Sequence, residues 1–195
     1  MDVFDATVKS LADAGVMVIL NNHISDAGWC CSETDGNGMW YNPKYPEETW
    51  IETLEALTLR YKDTPLVVGN DLRNELRKDR KHHHTPKWGT GNPKNDWLLA
   101  AKKGAAAVLA QNPDLLIIVE GLSYANDLTK IRENPLFLDT PNKLVYSAHA
   151  YDWELSNYTT YTETAEDYDE AFGYIVKDEG ADYHAPLWLG EFGTN

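Results

Sequence analysis

The feature that most constrains the fold of this chain is an alternation of short apolar runs with longer segments of helical pattern. The apolar runs comprise residues 16–20, 66–68, 115–119, 144–148 and 187–189. Helical patterns cover residues 3–14, 46–62, 95–111, 127–132 and 162–176. Continuous apolar strands separated by helices indicate a parallel sheet with both faces buried. The sequence therefore predicts a single α/β domain over residues 1–195.

Polar side chains follow the apolar runs, always at the C-terminal end. These residues are His23, Glu75, Glu120, His149 and Glu191. The carboxyl ends of parallel strands carry the active site both in β/α barrels and in open α/β sheets. A nucleotide-binding sheet would need a glycine-rich turn after a strand, and neither G-x-G-x-x-G nor G-x-x-x-x-G-K occurs. We favour the barrel over the open sheet.

The overall charge restricts the partners of the chain. The formal net charge is −14, from 17 Lys and Arg against 31 Asp and Glu. Nucleic acids and anionic membrane surfaces bind Lys/Arg patches, so this charge disfavours both and is compatible with a neutral polymer. No apolar run approaches the ~18 residues of a membrane span, and the first residues have an amphipathic helical pattern rather than that of a signal peptide.

Two local clusters allow more than one interpretation. Cys30 and Cys31 are adjacent, which fits neither a zinc pattern nor a disulfide framework. We expect two thiols, with pairing of one of them to a cysteine elsewhere as the alternative. His82, His83 and His84 invite a metal interpretation, but adjacent histidines point in different directions, and we expect a solvated loop.

Glu75 and Glu191 stand at the ends of different strands and can approach each other across a barrel mouth. Such a pair suits hydrolysis of a glycosidic bond, because one protonated carboxyl donates a proton and one carboxylate attacks the sugar carbon. The carboxyl groups lie about 5 Å apart in retaining enzymes and further apart in inverting ones. The sequence does not give this distance, so both outcomes stay open here.

Five motifs give the chain a specific resemblance. They read VILNNH, DLRNEL, LLIIVEG, YSAHAY and LGEFG, in this order. Together they resemble glycoside hydrolase family 5, which belongs to a clan of retaining β/α-barrel hydrolases with catalytic glutamates on the fourth and seventh strands. The segment GWCCSETDGNGMWYNPKYPEETW is similar to fungal and plant members of the family.

The resemblance implies a role for each residue at the strand ends. Glu75 would be the acid/base and Glu191 the nucleophile, and Asn74 would hydrogen-bond the 2-hydroxyl group of the sugar. His149 and Tyr151 would orient and polarise the two carboxyl groups. The family needs no cofactor and no metal.

Loop residues complete the substrate site that the resemblance implies. His23 would line the subsite next to the reacting sugar. Trp40 and Trp153 would stack on pyranose rings. Trp29 and Trp88 lie in similar loops, and core packing is the alternative for all of these tryptophans.

Neighbouring polar residues have a supporting interpretation. Asp71 and Arg73 would surround the acid/base, and Glu120 would be structural or support the site from behind. As an alternative, Glu75 would merely pair with Arg73 or Arg77 at the strand end.

The predicted strands are fewer than a complete β/α barrel contains, since such a barrel has eight strands and about 250 residues. The resemblance covers strands three to seven, and the family's arginine on the second strand and its tryptophan after the eighth have no counterpart. We therefore expect a partial (β/α)8 TIM barrel of about five βα units, that is, an incomplete catalytic domain. Its outer strands would have open edges through which the chain could self-associate.

The resemblance implies an O-glycosyl hydrolase, most specifically an endo-β-1,4-glucanase of the cellulase type that acts on a β-glucan or related polysaccharide. An extracellular location is inferred from the family, because such polysaccharides lie outside cells. The alternative is a catalytically inactive carbohydrate-binding remnant. A metal-dependent hydrolase that uses His23 and His149 ranks last, because the H-x-H first strand that it needs is not visible.

Overall fold

The computed structural model describes residues 1–28, 30–151 and 161–193. Five parallel strands form one sheet in the order β1-β2-β3-β4-β5. These strands comprise Val18–Asn21, Val67–Asp71, Leu116–Glu120, Leu144–Tyr151 and Leu187–Gly193. Each strand pairs with the next one along the chain, and the order does not reverse as it does in a doubly wound sheet. The predicted α/β architecture of a partial barrel is therefore confirmed.

Helices connect the strands. They are α1 (Asp2–Asp13), α2 (Glu47–Tyr61), α3 (Trp97–Gln111), α4 (Leu122–Ala125), α5 (Tyr161–Tyr168) and α6 (Tyr174–Lys177). A π-helical turn, Asp169–Gly173, separates α5 from α6, so the helix predicted over residues 162–176 is interrupted. The helix predicted over residues 127–132 is a single 3₁₀ turn, Thr129–Ile131. None of the helices in the described ranges is both long and apolar enough to cross a membrane.

The long helices α2 and α3 pack against each other. The buried residues of α2 recur every three or four positions and form one face, comprising Trp50, Leu54, Thr58 and Tyr61. α3 begins after Asp96, whose side chain accepts a hydrogen bond from the backbone N–H of Leu98. Gly104 lies against the Trp50 ring, where an added Cβ atom would come within 2.7 Å of the indole. The absence of a side chain at Gly104 thus permits the close approach of the two helices.

The centre of the sheet is covered on both faces, whereas the outer strand β5 is not. Ile117, Ile118 and Val119 of β3 are all buried, as a parallel sheet between two layers requires. In β5, by contrast, Trp188 is 51% exposed and Phe192 is 74% exposed. Among the described strands, β1 and β5 each pair along one edge only. The sheet is therefore open at both sides within the part of the chain that the structure describes.

All five strands extend further at their C-terminal ends than the sequence predicts, and β1, β4 and β5 illustrate this. β1 runs to Asn21, β4 to Tyr151 and β5 to Gly193. The polar residues at these ends therefore belong to the sheet itself. Side chains two positions apart in a strand point to the same face, so His149 and Tyr151 share one face of β4. The parallel register places Glu191 of β5 opposite His149.

Candidate active site

The carboxyl ends of the strands bring Glu75, His149 and Glu191 together. One carboxyl oxygen of each glutamate and one ring nitrogen of the histidine all lie within 4.8 Å of one another. Glu75 follows the end of β2, and Glu191 lies in β5. Two glutamates from separate strands thus approach each other at the rim. An approach of two carboxyl oxygens to within 4.8 Å is compatible with the ~5 Å between the carboxyl groups of a retaining glycosidase.

Glu75 has an unusual backbone conformation. Its φ angle of 44° lies in the left-handed region, which costs a residue with a side chain about 1–2 kcal/mol. The backbone N–H of Glu75 donates to Glu120 Oε2 at 2.7 Å. Arg77 Nη1 donates to the carbonyl oxygen of Glu75 at 2.8 Å. These two hydrogen bonds hold the backbone of Glu75 in place and so fix the position from which its side chain extends.

His149 stands among three carboxyl groups. Its Nδ1 atom lies 3.0 Å from Glu75 Oε1 and 3.7 Å from Glu191 Oε2. Its Nε2 atom lies 3.5 Å from Glu120 Oε1. The Tyr151 hydroxyl donates to Glu191 Oε2 at 2.7 Å, a contact that Glu75 does not share. Glu191 and Glu75 therefore have different surroundings, which is the condition for two carboxyl groups to take different roles.

Two buried arginines support the loop after β2. Arg73 donates to Asn22 Oδ1 at 3.0 Å, and burial lowers the pKa of Arg73 to about 9. Arg77 forms an ion pair with Asp35 at 2.6 Å. The alternative in which the Glu75 side chain pairs with an arginine is wrong. Arg77 contacts the backbone carbonyl of Glu75, and the Glu75 carboxyl group contacts the histidine instead.

Asp71 and Glu120 form a buried carboxyl pair behind the site. The two carboxyl groups are close enough to affect each other's pKa, and Asn21 Nδ2 donates to Asp71 Oδ2 at 3.0 Å. Burial raises the pKa of Asp71 to about 6. Burial, together with the neighbouring Asp71, raises the pKa of Glu120 well above its usual range. The sequence analysis missed this contact, although one signal was available: two adjacent strands, β2 and β3, each end in an acidic residue.

The raised pKa of Asp71 makes stability depend on pH. Between about pH 4 and 6 the folded protein holds a proton that the unfolded chain releases, so this stabilisation is present below pH 4 and is lost as the pH rises through 6. We expect the free energy of unfolding to fall by about 3 kcal/mol over this range through Asp71. Urea unfolding at several pH values should show a smaller fall for Asp71→Asn than for the wild type. The exposed Asp167→Asn control should keep the wild-type slope, and an unchanged slope in Asp71→Asn would contradict the assignment.

Asn74 and His23 differ in how closely the structure brings them to the site. Asn74 is 1% exposed and directly precedes Glu75. Its side-chain Nδ2 is buried and has no hydrogen-bond partner among the described residues. His23 is exposed at the rim, with Nδ1 3.0 Å from Asn21 Oδ1. Asn74 thus has an unused donor in the residue that directly precedes Glu75, whereas His23 is exposed and contacts Asn21.

The loops around the rim include one correction and one agreement. Cys30 and Cys31 are joined to each other by a disulfide bond, so the prediction of two thiols, and its alternative of a distant partner, are both wrong. The sulfur atoms lie within 4.8 Å of a ring nitrogen of His23. The predicted loop at residues 82–84 is present, and His82 Nδ1 lies 2.8 Å from Asp79 Oδ2.

Trp40 does not present its ring at the rim. It is 0% exposed, its Nε1 donates to Glu47 Oε2 at 2.8 Å, and its ring packs on a second indole 5.5 Å away. A ring enclosed in the core has no free face for a sugar, so the prediction for Trp40 is wrong. Trp88 is 7% exposed, as the core alternative predicts. Trp29 and Trp153 lie outside the described residues.

Tyr124 is a rim residue that the sequence analysis missed. The backbone of α4 is left-handed at Ser123, Tyr124 and Ala125. This turn lets the N–H of Tyr124 donate to the Leu76 carbonyl oxygen at 3.1 Å and places the ring 5.8 Å from the Arg77 guanidinium. The ring lines a cavity of about 410 Å³. No sequence pattern distinguishes this tyrosine, because Tyr124 and Ala125 are not residues that usually adopt a left-handed backbone.

A pair of carboxyl groups at the C-terminal rim of a β/α sheet is the arrangement that glycoside hydrolases with a barrel fold use. Comparison with known protein families agrees with this class. The family model described as cellulase, glycosyl hydrolase family 5, matches residues 1–195. The chain belongs to this family, and the resemblance of its motifs is confirmed.

Curated relatives with similar sequences are described as family 5 enzymes. An endoglucanase from Paenibacillus polymyxa is 33% identical over 210 residues, covering 99% of this chain and 49% of the relative. A glycosyl hydrolase 5 family protein from Chamaecyparis obtusa is 36% identical over 194 residues, covering 96% of this chain and 33% of the relative. The chain thus spans about half or less of the length of these relatives.

Solved structures show the same fold. The catalytic domain of the major endoglucanase from Xanthomonas campestris pv. campestris aligns with a TM-score of 0.80 and 30% identity, covering 98% of this chain and 55% of that domain. A cellotetraose complex of the endocellulase from Pyrococcus horikoshii aligns with a TM-score of 0.80 and 25% identity, covering 98% and 56%. The five strands therefore correspond to a curled half-barrel within a (β/α)8 fold.

Proposed function

We propose that this chain carries the site of a retaining O-glycosyl hydrolase of the endo-β-1,4-glucanase type. The observation that supports this most directly is the approach of Glu75 and Glu191, whose nearest oxygens lie within 4.8 Å. An inverting enzyme needs room for a water molecule and separates its carboxyl groups by about 6.5–9.5 Å. The short spacing therefore favours direct attack by one glutamate.

The two steps divide between the glutamates. Glu191 attacks the anomeric carbon while Glu75 gives its proton to the departing glycosidic oxygen, so the sugar becomes bound as an ester of Glu191. Ionised Glu75 then takes a proton from a water molecule, whose oxygen attacks the anomeric carbon and releases Glu191. The hydrogen bond from Tyr151 supports an ionised nucleophile. Glu75 ends each cycle protonated, as it began.

Other rim residues bind the substrate in this proposal. The unused Nδ2 donor of Asn74 suits the sugar 2-hydroxyl group. His23 lines the neighbouring subsite, and Trp153 supplies an aromatic face. The net charge of −14 is compatible with an uncharged polysaccharide such as a β-glucan and not with nucleic acids.

The comparisons support the substrate and the location. The similar proteins are described as endoglucanases, and one solved endocellulase is in complex with cellotetraose. A relative from Xanthomonas campestris, 32% identical over 163 residues, is described as a major extracellular endoglucanase. A β-1,4-glucan is therefore the substrate that we propose, with polysaccharide breakdown outside the cell as the setting.

The state of the chain in solution belongs to the same proposal. Residues 1–195 form a single, incomplete catalytic domain, and β1 and β5 have open edges among the described strands. Unpaired edges favour association with another chain. Self-association of two copies through these edges would cover the exposed side chains of Trp188 and Phe192.

Covalent labelling tests the nucleophile. The purified chain is incubated with an activated 2-deoxy-2-fluoro-cellobioside, and the intact mass is measured. We expect one 2-fluorocellobiosyl group on the wild type and none on Glu191→Gln, because the amide cannot attack the anomeric carbon. Glu179→Gln is the matched control, since Glu179 is exposed and away from the strand ends, and it should label like the wild type.

The same experiment separates the proposal from its alternative. Equal labelling of Glu191→Gln would assign the nucleophile to another residue. Absence of labelling in the wild type, together with measurable binding of cello-oligosaccharides, would favour the inactive carbohydrate-binding remnant instead.

A further inference from the structure

The buried acids Asp71 and Glu120 have no role in the two chemical steps. Glu120 nevertheless contacts both Glu75 and His149. Asp71 Oδ1 and Glu120 Oε1 are both buried and have no hydrogen-bond partner among the described residues when each group is treated as ionised. The two side chains nevertheless lie within hydrogen-bonding contact of each other. A single proton between them would turn one oxygen into a donor and satisfy both.

Arg73 is a cation that faces the pair, but a single positive charge does not neutralise two negative charges. The titratable and charged groups facing the pair are Arg73 and Glu75 from the loop after β2 and His149 from β4. Arg73 uses its terminal nitrogens on Asn22 Oδ1 and on a backbone carbonyl. Two adjacent carboxylates in such a site cannot both ionise at neutral pH. The raised pKa values of both acids agree with one retained proton.

Glu120 connects this pair to the site at two points. Its Oε2 accepts the backbone N–H of Glu75 at 2.7 Å, and its Oε1 lies 3.5 Å from His149 Nε2. A carboxyl oxygen that carries part of a negative charge favours a proton on the ring nitrogen that faces it. His149 Nε2 then carries the proton of the neutral imidazole, and Nδ1 becomes an acceptor.

The ring nitrogen of His149 that carries the proton determines whether Glu75 is the donor in their hydrogen bond. His149 Nδ1 lies 3.0 Å from Glu75 Oε1, and with an acceptor at Nδ1 the proton of this hydrogen bond has to come from Glu75. The same Nδ1 atom lies 3.7 Å from Glu191 Oε2. Because an unprotonated Nδ1 cannot donate to this oxygen, the hydrogen bond to Glu191 Oε2 comes from the Tyr151 hydroxyl.

We propose that Asp71 and Glu120 share one proton and act as a positioning pair, which directs the Nε2 proton of His149 inward so that Nδ1 accepts from the protonated carboxyl group of Glu75. The proposal rests on the proposed function of Glu75 as the acid/base. The pair keeps its proton throughout the cycle, and only Glu75 exchanges one.

Two amide variants separate the members of the pair. In Asp71→Asn the new amide donates to Glu120, so the negative charge facing His149 Nε2 stays. In Glu120→Gln the oxygen accepts from the N–H of Glu75, and the amide nitrogen faces both Asp71 and His149 Nε2. This second variant therefore places a donor where the wild type has an acceptor and favours a proton on Nδ1 of the ring.

The test begins on the free chain at neutral pH. Infrared difference spectra should show two un-ionised carboxyl bands in the wild type: one from Glu75, which Glu75→Gln removes, and one from the Asp71–Glu120 pair, which is lost in Asp71→Asn and in Glu120→Gln. The exposed Glu52→Gln control should keep both bands. The ¹⁵N NMR shifts of His149 should report a proton on Nε2 in the wild type and in Asp71→Asn. In Glu120→Gln the proton should move to Nδ1, an effect that a merely structural role would not produce.

Kinetics add a second measurement. In Glu120→Gln the alkaline limb of the rate of cellotetraose hydrolysis against pH should move down by about one pH unit, because this substrate needs the Glu75 proton and Nδ1–H favours the ionised form of Glu75. Asp71→Asn should retain the wild-type limb. Two results would overturn the proposal: no carboxyl band that depends on Asp71, or an unchanged histidine proton in Glu120→Gln.

The spectroscopic result is independent of turnover. If the band and the histidine shifts behave as expected but the wild-type chain is never labelled, the shared proton stands and the proposed function fails. If Glu120→Gln does not fold, Asp71→Asn still tests the shared proton through its infrared band.

Discussion

Replacement of Glu75 by glutamine is expected to reduce hydrolysis of cellotetraose by about 10²- to 10⁴-fold, the usual contribution of a general acid. Glutamine keeps the shape of the side chain but has no proton to give to the departing oxygen. A cellobioside with a dinitrophenyl leaving group needs little protonation, so its first step should be much less affected. Steady-state and pre-steady-state release of the phenol measure the two steps.

The difference between the substrates identifies the role of Glu75. Glu179→Gln should hydrolyse both substrates as the wild type does, because its side chain is exposed and remote from the rim. An equal loss on both substrates in Glu75→Gln would instead indicate damage to the site as a whole. The backbone contacts of Glu75 with Glu120 and Arg77 do not involve its side chain, so we expect the loop to keep its conformation.

Replacement of Trp40 by alanine is expected to reduce the free energy of unfolding by about 3–5 kcal/mol, as for other buried aromatic residues. Trp40 is fully buried and its indole N–H donates to Glu47. A loss of this size is a large part of the 5–15 kcal/mol that stabilises a typical domain. Urea unfolding followed by circular dichroism gives the value.

A matched substitution separates burial from residue type. Trp188→Ala removes an indole that is 51% exposed, so the loss of stability should be well below that of Trp40→Ala. Trp40→Phe should recover much of the packing. If Trp40→Ala unfolded like the wild type but lost affinity for cello-oligosaccharides, Trp40 would be a substrate residue after all.

The sequence predicts the sheet well because its signals are local. Each apolar run is short and alternates with a helical segment. Such runs are stable as strands of a parallel sheet that is covered on both faces. The convergence of Glu75, His149 and Glu191 followed from the same pattern, since strand ends of a parallel sheet meet at one rim. Strand limits were less predictable, because β4 continues through polar residues that pair with β5.

The wrong or missed predictions concern features that depend on tertiary contacts rather than on local sequence. A tryptophan in a polar, glycine-rich segment resembles a surface residue, but Trp40 is fully buried and packs on Trp97 of α3, which comes from far along the chain. The bond between Cys30 and Cys31 was missed because adjacent cysteines are seldom partners in a disulfide framework. The Asp71–Glu120 contact depends on strand register, which the sequence pattern does not fix.

The exposed strand β5 carries the proposed nucleophile, and this has a consequence for local stability. Strands at the middle of a sheet open only with the whole domain, whereas an edge strand with few buried side chains can detach at a much lower free energy. Glu191 therefore belongs to the part of the described sheet that exchanges its backbone amide protons most readily. Whatever pairs with β5 raises the fraction of molecules in which Glu191, His149 and Tyr151 are assembled at the same time.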